Sequence, residues 1–449
     1  MSFPRYPEYK DSGVAWLGEV PGHWDVAPLK RGYEVALGKM LQNDASSPED
    51  ELVPYLRAAN IKWDGVDVSD VKQMWVSPRE INQLALLAGD LLISEGGDVG
   101  RSAIWQNELE ACYFQNSVNR ARPKNGNSTR FLYYWISAIK DVGFIDIICN
   151  KSTIAHFTAE KVAAVPVPFP TPDEQQTIAA FLNRETEKID ALVAEQEKLI
   201  ALLKEKRQAV ISHAVTKGLN PAAPMKDSGI EWLGEVPEHW GVVPLGHLAA
   251  LIQTGPFGSQ LHSEEYVDGE TPVINPSNIQ DGKLVADWSC TVTQEIVDRL
   301  SQHKLMAGDI VFGRRGEMGR CAMVTENEVS WLCGTGSLNV RLSNRANPEF
   351  VSIYLRTEYV RELLKLESVG STMDNLNTQI LSSVSVPLPP FNEQQTIAAF
   401  LDRETAKLDA LTAEAQRGIE LLKERRSALI SAAVTGKIDV RKAYQAEAA

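Results

Sequence analysis

The sequence contains no run of about 18 apolar residues, so no membrane-crossing helix is expected. Its opening residues, MSFPRYPEYKDSG, lack the apolar stretch of a secretory leader, so none is expected. Cysteine is scarce. Cys112, Cys149, Cys290, Cys321 and Cys333 form no CxxC pair, and five thiols cannot all pair. That argues against a disulfide framework or zinc knuckle and for a reducing, cytoplasmic setting. An excess of positive charge is also missing: 45 Lys and Arg face 59 Asp and Glu, for a net charge of -14. A protein that coats nucleic acid by charge alone is basic. The deficit still permits one local basic face, or partners that supply much of the phosphate contact.

Catalytic motifs are absent as well. GGDVGR from Gly96 and GRRGEMGR from Gly313 do not match the phosphate-loop pattern GxxxxGK[ST], and neither opens a convincing helix after a strand. Asn275-Pro276-Ser277-Asn278 lacks the second proline and the aromatic of an adenine-methylating motif. Asp173 and Glu174 sit at a helix start, where carboxylates favour the dipole, and no ExK partner follows. The seven histidines are scattered. His23 and His239 adjoin Trp24 and Trp240, where packing or turn hydrogen bonding is expected before metal ligation. No catalytic constellation and no metal site is expected.

Internal repetition is abundant. KDSGVAWLGEVPGHW from Lys10 returns as KDSGIEWLGEVPEHW from Lys226, 216 residues on. A longer passage from Glu174, beginning EQQTIAAFLNRET, returns from Glu393 as EQQTIAAFLDRET, 219 residues on, with most of its positions matched. Between these markers the chain has diverged but keeps a skeleton at the same offset. Gly89-Asp90-Leu91 matches Gly308-Asp309-Ile310, Gly100-Arg101 matches Gly319-Arg320, and VPVPFP from Val165 matches VSVPLP from Val384. Ser117-Val118-Asn119 is expected to meet Ser337-Leu338-Asn339 after a one-residue slip. The division is a marker at 1–25, a domain at 26–172, a helix at 173–217, a linker with the second marker at 218–240, a domain at 241–391, a helix at 392–436 and a tail at 437–449.

Heptad spacing marks the two long helices: Ile178, Leu182, Ile189, Leu192, Leu199, Leu203 and Val210 in one, and Ile397, Leu401, Leu408, Leu411, Ala415, Leu422 and Leu429 in the other. Prolines precede each, and Gly218 and Gly436 stand where C-terminal caps belong. About 40 residues make a helix about 60 Å long. Its apolar seam needs a partner, and the other copy carries the matching stripe. An intramolecular antiparallel coiled coil is expected, with the globular domains at opposite ends about a pseudo-two-fold axis. The plainer alternative is two separate helices, each packed on its own domain. The domains read as α+β, with mixed or antiparallel strands and one helix in each, from Phe131 and from Phe350.

Loop residues of the kinds that bond base edges and phosphates are candidates for contact with nucleic acid. In the first domain these are Arg57, Asn60, Arg101, Ser102, Asn116, Asn119, Arg120, Lys151, Ser152, Thr153 and His156. In the second they are Thr254, Ser259, Gln260, Ser277, Asn278, Arg314, Arg315, Arg320, Ser337, Asn339, Ser371, Thr372 and Asn375. Any one of them taken alone is as well explained as an ordinary turn residue.

The order WLGEVPGHW, variable domain, EQQTIAAFLNRETEKIDAL, LLKEKRQAVISHAVTKG, repeated with few changes, resembles the specificity (S) subunit of type I restriction–modification systems over essentially the whole chain. The resemblance implies two target recognition domains, each reading half of a bipartite site in double-stranded DNA, held apart by the paired helices. It implies a non-catalytic chain that binds two modification subunits, which methylate adenine, and through them the restriction subunits. S-adenosylmethionine, ATP and Mg would lie on those partners, with no cofactor on this chain. A coiled-coil scaffold without DNA recognition and a self-contained DNA-modifying enzyme are the alternatives.

Overall fold

The computed structural model describes residues 3–149, 156–368 and 376–441. The chain divides into two compact units, one from residues 1–197 and 417–449 and the other from 198–416. Each unit thus takes one globular domain and parts of both long helices.

The first unit is organised on a four-stranded antiparallel sheet in the order Ser102–Ile104, Leu91–Ser94, Val118–Pro123, Tyr33–Leu37. Leu91–Ser94 is buried along its length, which its unbroken apolar run LLI anticipates. A three-stranded sheet adjoins it, with Glu51–Leu56 between Tyr113–Phe114, which is parallel to it, and Lys72–Val76, which is antiparallel. Helix Thr129–Asp141 follows and is buried from Phe131 to Ile139. Ser128 caps it by accepting from the Phe131 amide.

The second unit repeats the plan. Its antiparallel sheet has the order Ala249–Thr254, Ser337–Leu342, Ile310–Gly313, Cys321–Met323. Thr271–Ile274 lies between Thr291–Val292 and Leu332–Cys333. The helix expected from Phe350 is two helices, Pro348–Leu355 and Glu358–Glu367. Between them the Thr357 hydroxyl donates to the Tyr354 carbonyl, a side-chain bond that competes with helix propagation.

Strand register corrects one expectation. Val118 faces Ser94 and Ser337 faces Gly313, both pairs at the offset of the repeated helices. The slip is absent: Arg120 and Asn339 occupy the same place in the two sheets.

In each unit the marker forms a small hairpin, Tyr9–Asp11 with Glu19–Pro21 and Met225–Asp227 with Glu235–Pro237. Trp24 and Trp240 are wholly buried behind it. A glutamate in the first turn of a long helix holds each marker. Glu174 accepts from the Tyr6 hydroxyl and pairs with His23 Nε2, each at 2.9 Å. Glu393 pairs with His239 Nε2 at 2.8 Å and accepts from Trp240 Nε1.

The long helices span Pro172–Lys217 and Phe391–Val434. Gly218 and Gly436 end them in left-handed conformation. A side chain at Gly218 would press on Trp240, and one at Gly436 would collide with Pro21, so both caps require glycine. The seam differs in part from the expected one. Residues turned from solvent recur three and four apart at Leu182, Thr186, Ile189, Val193, Gln196, Ile200, Leu203, Arg207, Val210 and Ala214. The second helix shows the same series from Leu401 to Ala433. Leu192, Leu199 and Leu411 are half exposed and lie one position off the seam. Polar Thr186, Gln196 and Arg207 hold the seam positions that an apolar count passes over.

Within the first unit the central helix meets the end of the C-terminal helix in one core, where Ile178, Phe181 and Leu182 join Ile430, Ala433 and Val434. Asp190 accepts from Arg426 Nε at 3.0 Å. Residues further along one helix therefore meet residues earlier on the other, so the two run antiparallel. In the second unit Ile211, Ala214 and Val215 share a core with Ile397, Ala398 and Leu401, and Asp409 accepts from Arg207 at 3.0 Å.

Candidate nucleic-acid interface

Both sheets carry the same buried brace. Asp90 is 1% exposed and accepts two bonds of 2.7 Å from Arg122 and one from the Leu87 amide. Asp309 accepts likewise from Arg341 at 2.8 and 2.6 Å and from the Met306 amide. A fork-on-carboxylate pair fixes direction as well as distance. It locks a turn at one end of the sheet to the middle strand. The loops at the other ends of these strands form a cluster.

That cluster is assembled the same way twice. In the first unit Asn60 closes the loop at 57–60 by accepting from the Arg57 amide and donating to the Asp67 and Asp70 carbonyls. The Ala58 amide donates to Ser117 Oγ, and Arg101 Nη2 donates to the Ala58 carbonyl at 2.9 Å. The Glu95 amide donates to the Ser117 carbonyl, and the Phe157 amide to Glu95. The loops at 57–60, 95–101, 115–117 and 156–157 are thus tied together. In the second unit Asn278 closes the loop at 275–278 by the same two kinds of bond. Arg320 Nη1 donates to the Pro276 carbonyl, the Arg314 amide to Gly336, and the Leu376 amide to Arg314.

This frame separates the candidates. Arg57, Arg101, Asn116 and His156 lie at the surface of the first cluster, and Ser277, Arg314, Arg315 and Arg320 at the surface of the second. Thr254 ends the first strand of the second sheet, and Ser259 and Gln260 belong to the adjoining loop that follows it. Asn60, Ser102, Asn119, Arg120, Asn278, Ser337 and Asn339 are corrections: all are buried and bonded internally. Ser102 donates to Gly100, Asn119 to Phe157, and Ser337 to Ile274, each to a carbonyl. Arg120 donates to Gln83 and Glu34, and Asn339 to Asp309. These side chains hold loops and strands and present nothing at the surface. Lys151, Ser152, Thr153, Ser371, Thr372 and Asn375 lie outside the described residues.

The partly exposed charges are not all free. Arg57 pairs with Asp70 at 2.6 Å and Arg320 with Glu317 at 2.7 Å. Arg315 makes no ion pair among the described residues, and burial followed by Arg315 itself lowers the pKa of neighbouring Arg314. Burial raises the Glu95 carboxyl, partly offset by His156. The surface is a mixed one, with donors in forks and acidic partners that a phosphate would have to displace. Residue type alone points to the asparagines at 60 and 278 and does not point to the Asp90–Arg122 and Asp309–Arg341 braces. The sequence carries a signal for them: both members of each pair recur at one offset.

Comparison with known proteins agrees with this duplicated layout. The family described as the type I restriction modification DNA specificity domain matches residues 24–201 and again 237–421. The putative type I restriction enzyme MjaX specificity subunit of Methanocaldococcus jannaschii is 23% identical over 95% of this chain and 96% of its own length. The type I restriction enzyme EcoKI specificity subunit of Escherichia coli is 25% identical over 46% of this chain and 44% of its own. Among solved structures, a chain from a type I R-M system studied for its assembly and conformational transition has a TM-score of 0.71 at 16% identity, covering 92% of this chain and 98% of that one. The HsdS subunit of Thermoanaerobacter tengcongensis has a TM-score of 0.56 at 17% identity, covering 93% and 98%.

Proposed function

The chain belongs to the type I restriction–modification DNA specificity family, and from that membership we propose how its parts divide the work. Each globular unit reads one half of a bipartite site in double-stranded DNA. The paired helices set the spacer between the halves and dock two modification subunits, through which restriction subunits join. The chain performs no chemistry of its own. S-adenosylmethionine, ATP and Mg belong to the partners, and the complex works in the cytoplasm.

One observation supports this most directly: the same loop cluster is built twice on matching internal bonds, Arg101 and Arg320 among them, while most other side chains at its surface differ. A shared frame with different tips is what two readers of different base sequences require. The acidic balance of the chain fits a subunit that holds DNA weakly alone and firmly once partners add cationic surface.

Gel-shift competition on the chain with and without modification subunits tests the proposal. Sequence-specific binding should appear on adding those subunits. Methylation by the purified chain alone would contradict the non-catalytic assignment, and absence of specific binding in the full complex would contradict DNA reading.

A further inference from the structure

Two exposed apolar side chains stand at one equivalent point of the two units. Strand Tyr33–Leu37 places Leu37 opposite Asn119, and strand Ala249–Thr254 places Thr254 opposite Leu338. The next residue is glycine in both. The Gly38 amide donates to the Val118 carbonyl at 3.2 Å, and the Gly255 amide to the Ser337 carbonyl at 2.9 Å. A side chain at Gly38 would collide with the backbone at Gln115, and one at Gly255 with the backbone at Gly334, so each glycine presses its loop onto the cluster. Two residues beyond the glycine come Met40, 75% exposed, and Phe257, 64% exposed.

The surrounding sequences, LGKMLQN and TGPFGSQL, share little besides the glycine and this apolar residue. The loop is seated on the cluster in both units. The Lys39 amide donates to Phe114 and the Asn116 amide to Lys39. Gly334, against which Gly255 packs, donates to Ile274 at the root of the loop closed by Asn278.

We propose that Met40 and Phe257 are apolar base contacts of the DNA-facing surface, one for each half-site, wedged into the groove while the neighbouring cationic and polar side chains hold the backbone. This rests on the reading of the loop cluster as that surface. A large apolar side chain at a rigidly seated loop tip has no interior to fill, whereas a base face or a thymine methyl offers it apolar area. Ser259 and Gln260 beside Phe257 are exposed and supply the polar complement.

The test uses the full chain assembled with its modification subunits. Affinity for the cognate duplex is measured over a range of salt for wild type, Phe257→Ala, Phe257→Tyr, Met40→Ala and Met40→Leu. The alanine variants should bind about tenfold to a hundredfold more weakly, with an unchanged salt slope because no phosphate contact is lost. Phe257→Tyr and Met40→Leu should retain most of the affinity. Both alanine changes lie on exposed side chains, so thermal unfolding and subunit assembly should match wild type. Alanine variants that bind as wild type in a complex that does discriminate between duplexes overturn the wedge alone. So does a loss traced to failed assembly. A wild-type complex that prefers no duplex overturns the DNA reading on which the wedge stands.

Discussion

Asp90 and Asp309 are the carboxylates on which each sheet is braced. Truncating Asp90 would leave the half-buried Arg122 guanidinium without its carboxylate, with only the Ala85 carbonyl as acceptor. Asp90→Ala or Asp309→Ala should lower the stability of its unit by about 3 kcal/mol, measurable by denaturant unfolding. The surface arginines should behave differently. Arg315→Ala should leave stability unchanged and reduce the slope of log affinity against log salt by about one in the assembled complex. Cys112, Cys321 and Cys333 are buried, and burial pushes each thiol up to about 12. All three should resist thiol titration at pH 8 until the protein unfolds. Side-chain type alone was a poor guide at this scale. Asn60 and Arg101 read identically as candidates, yet one is buried as a loop clasp and the other lies at the surface, because loop closure depends on carbonyls distant in sequence.

The long helices were legible as elements and less so as a seam. Repetition, flanking prolines and glycine caps located both ends. The stripe was displaced at Leu192 and Leu199 because Gln196 and Arg207, which face inward, carry no apolar signal. A paired comparison checks the observed register. Leu203→Ala, in the seam, should cost about 2 kcal/mol or more, whereas Leu192→Ala should change stability by about 0.5 kcal/mol or less, both read by thermal unfolding. If the pair of helices sets the spacer, adding one heptad to each at equivalent points preserves the seam and lengthens each helix by about 10 Å. At 3.4 Å per base pair, the methylated spacer should grow by about three base pairs, with both half-sites unchanged.

On the scale of the whole molecule, duplication explains why so much could be read from one sequence. The two copies act as an alignment of the chain with itself. What they share marks the frame: markers, braces, loop clasps and helices. What they do not share marks the tips of the clusters, where specificity is proposed to lie. Comparison within the chain also misleads where register is guessed from residue identity, as at Asn119, whose apparent match to Asn339 disappears once the strands are paired. The recognised bases are beyond this kind of reading, since they depend on the atoms that each loop tip meets across the groove.

Replacing residues 26–172 with the corresponding domain of another family member, and sequencing the methylome of a host that expresses the hybrid with its modification subunits, tests the central claim most directly. One half of the methylated site should change while the other half and the spacer length remain. A change in both halves, or in neither, would contradict it.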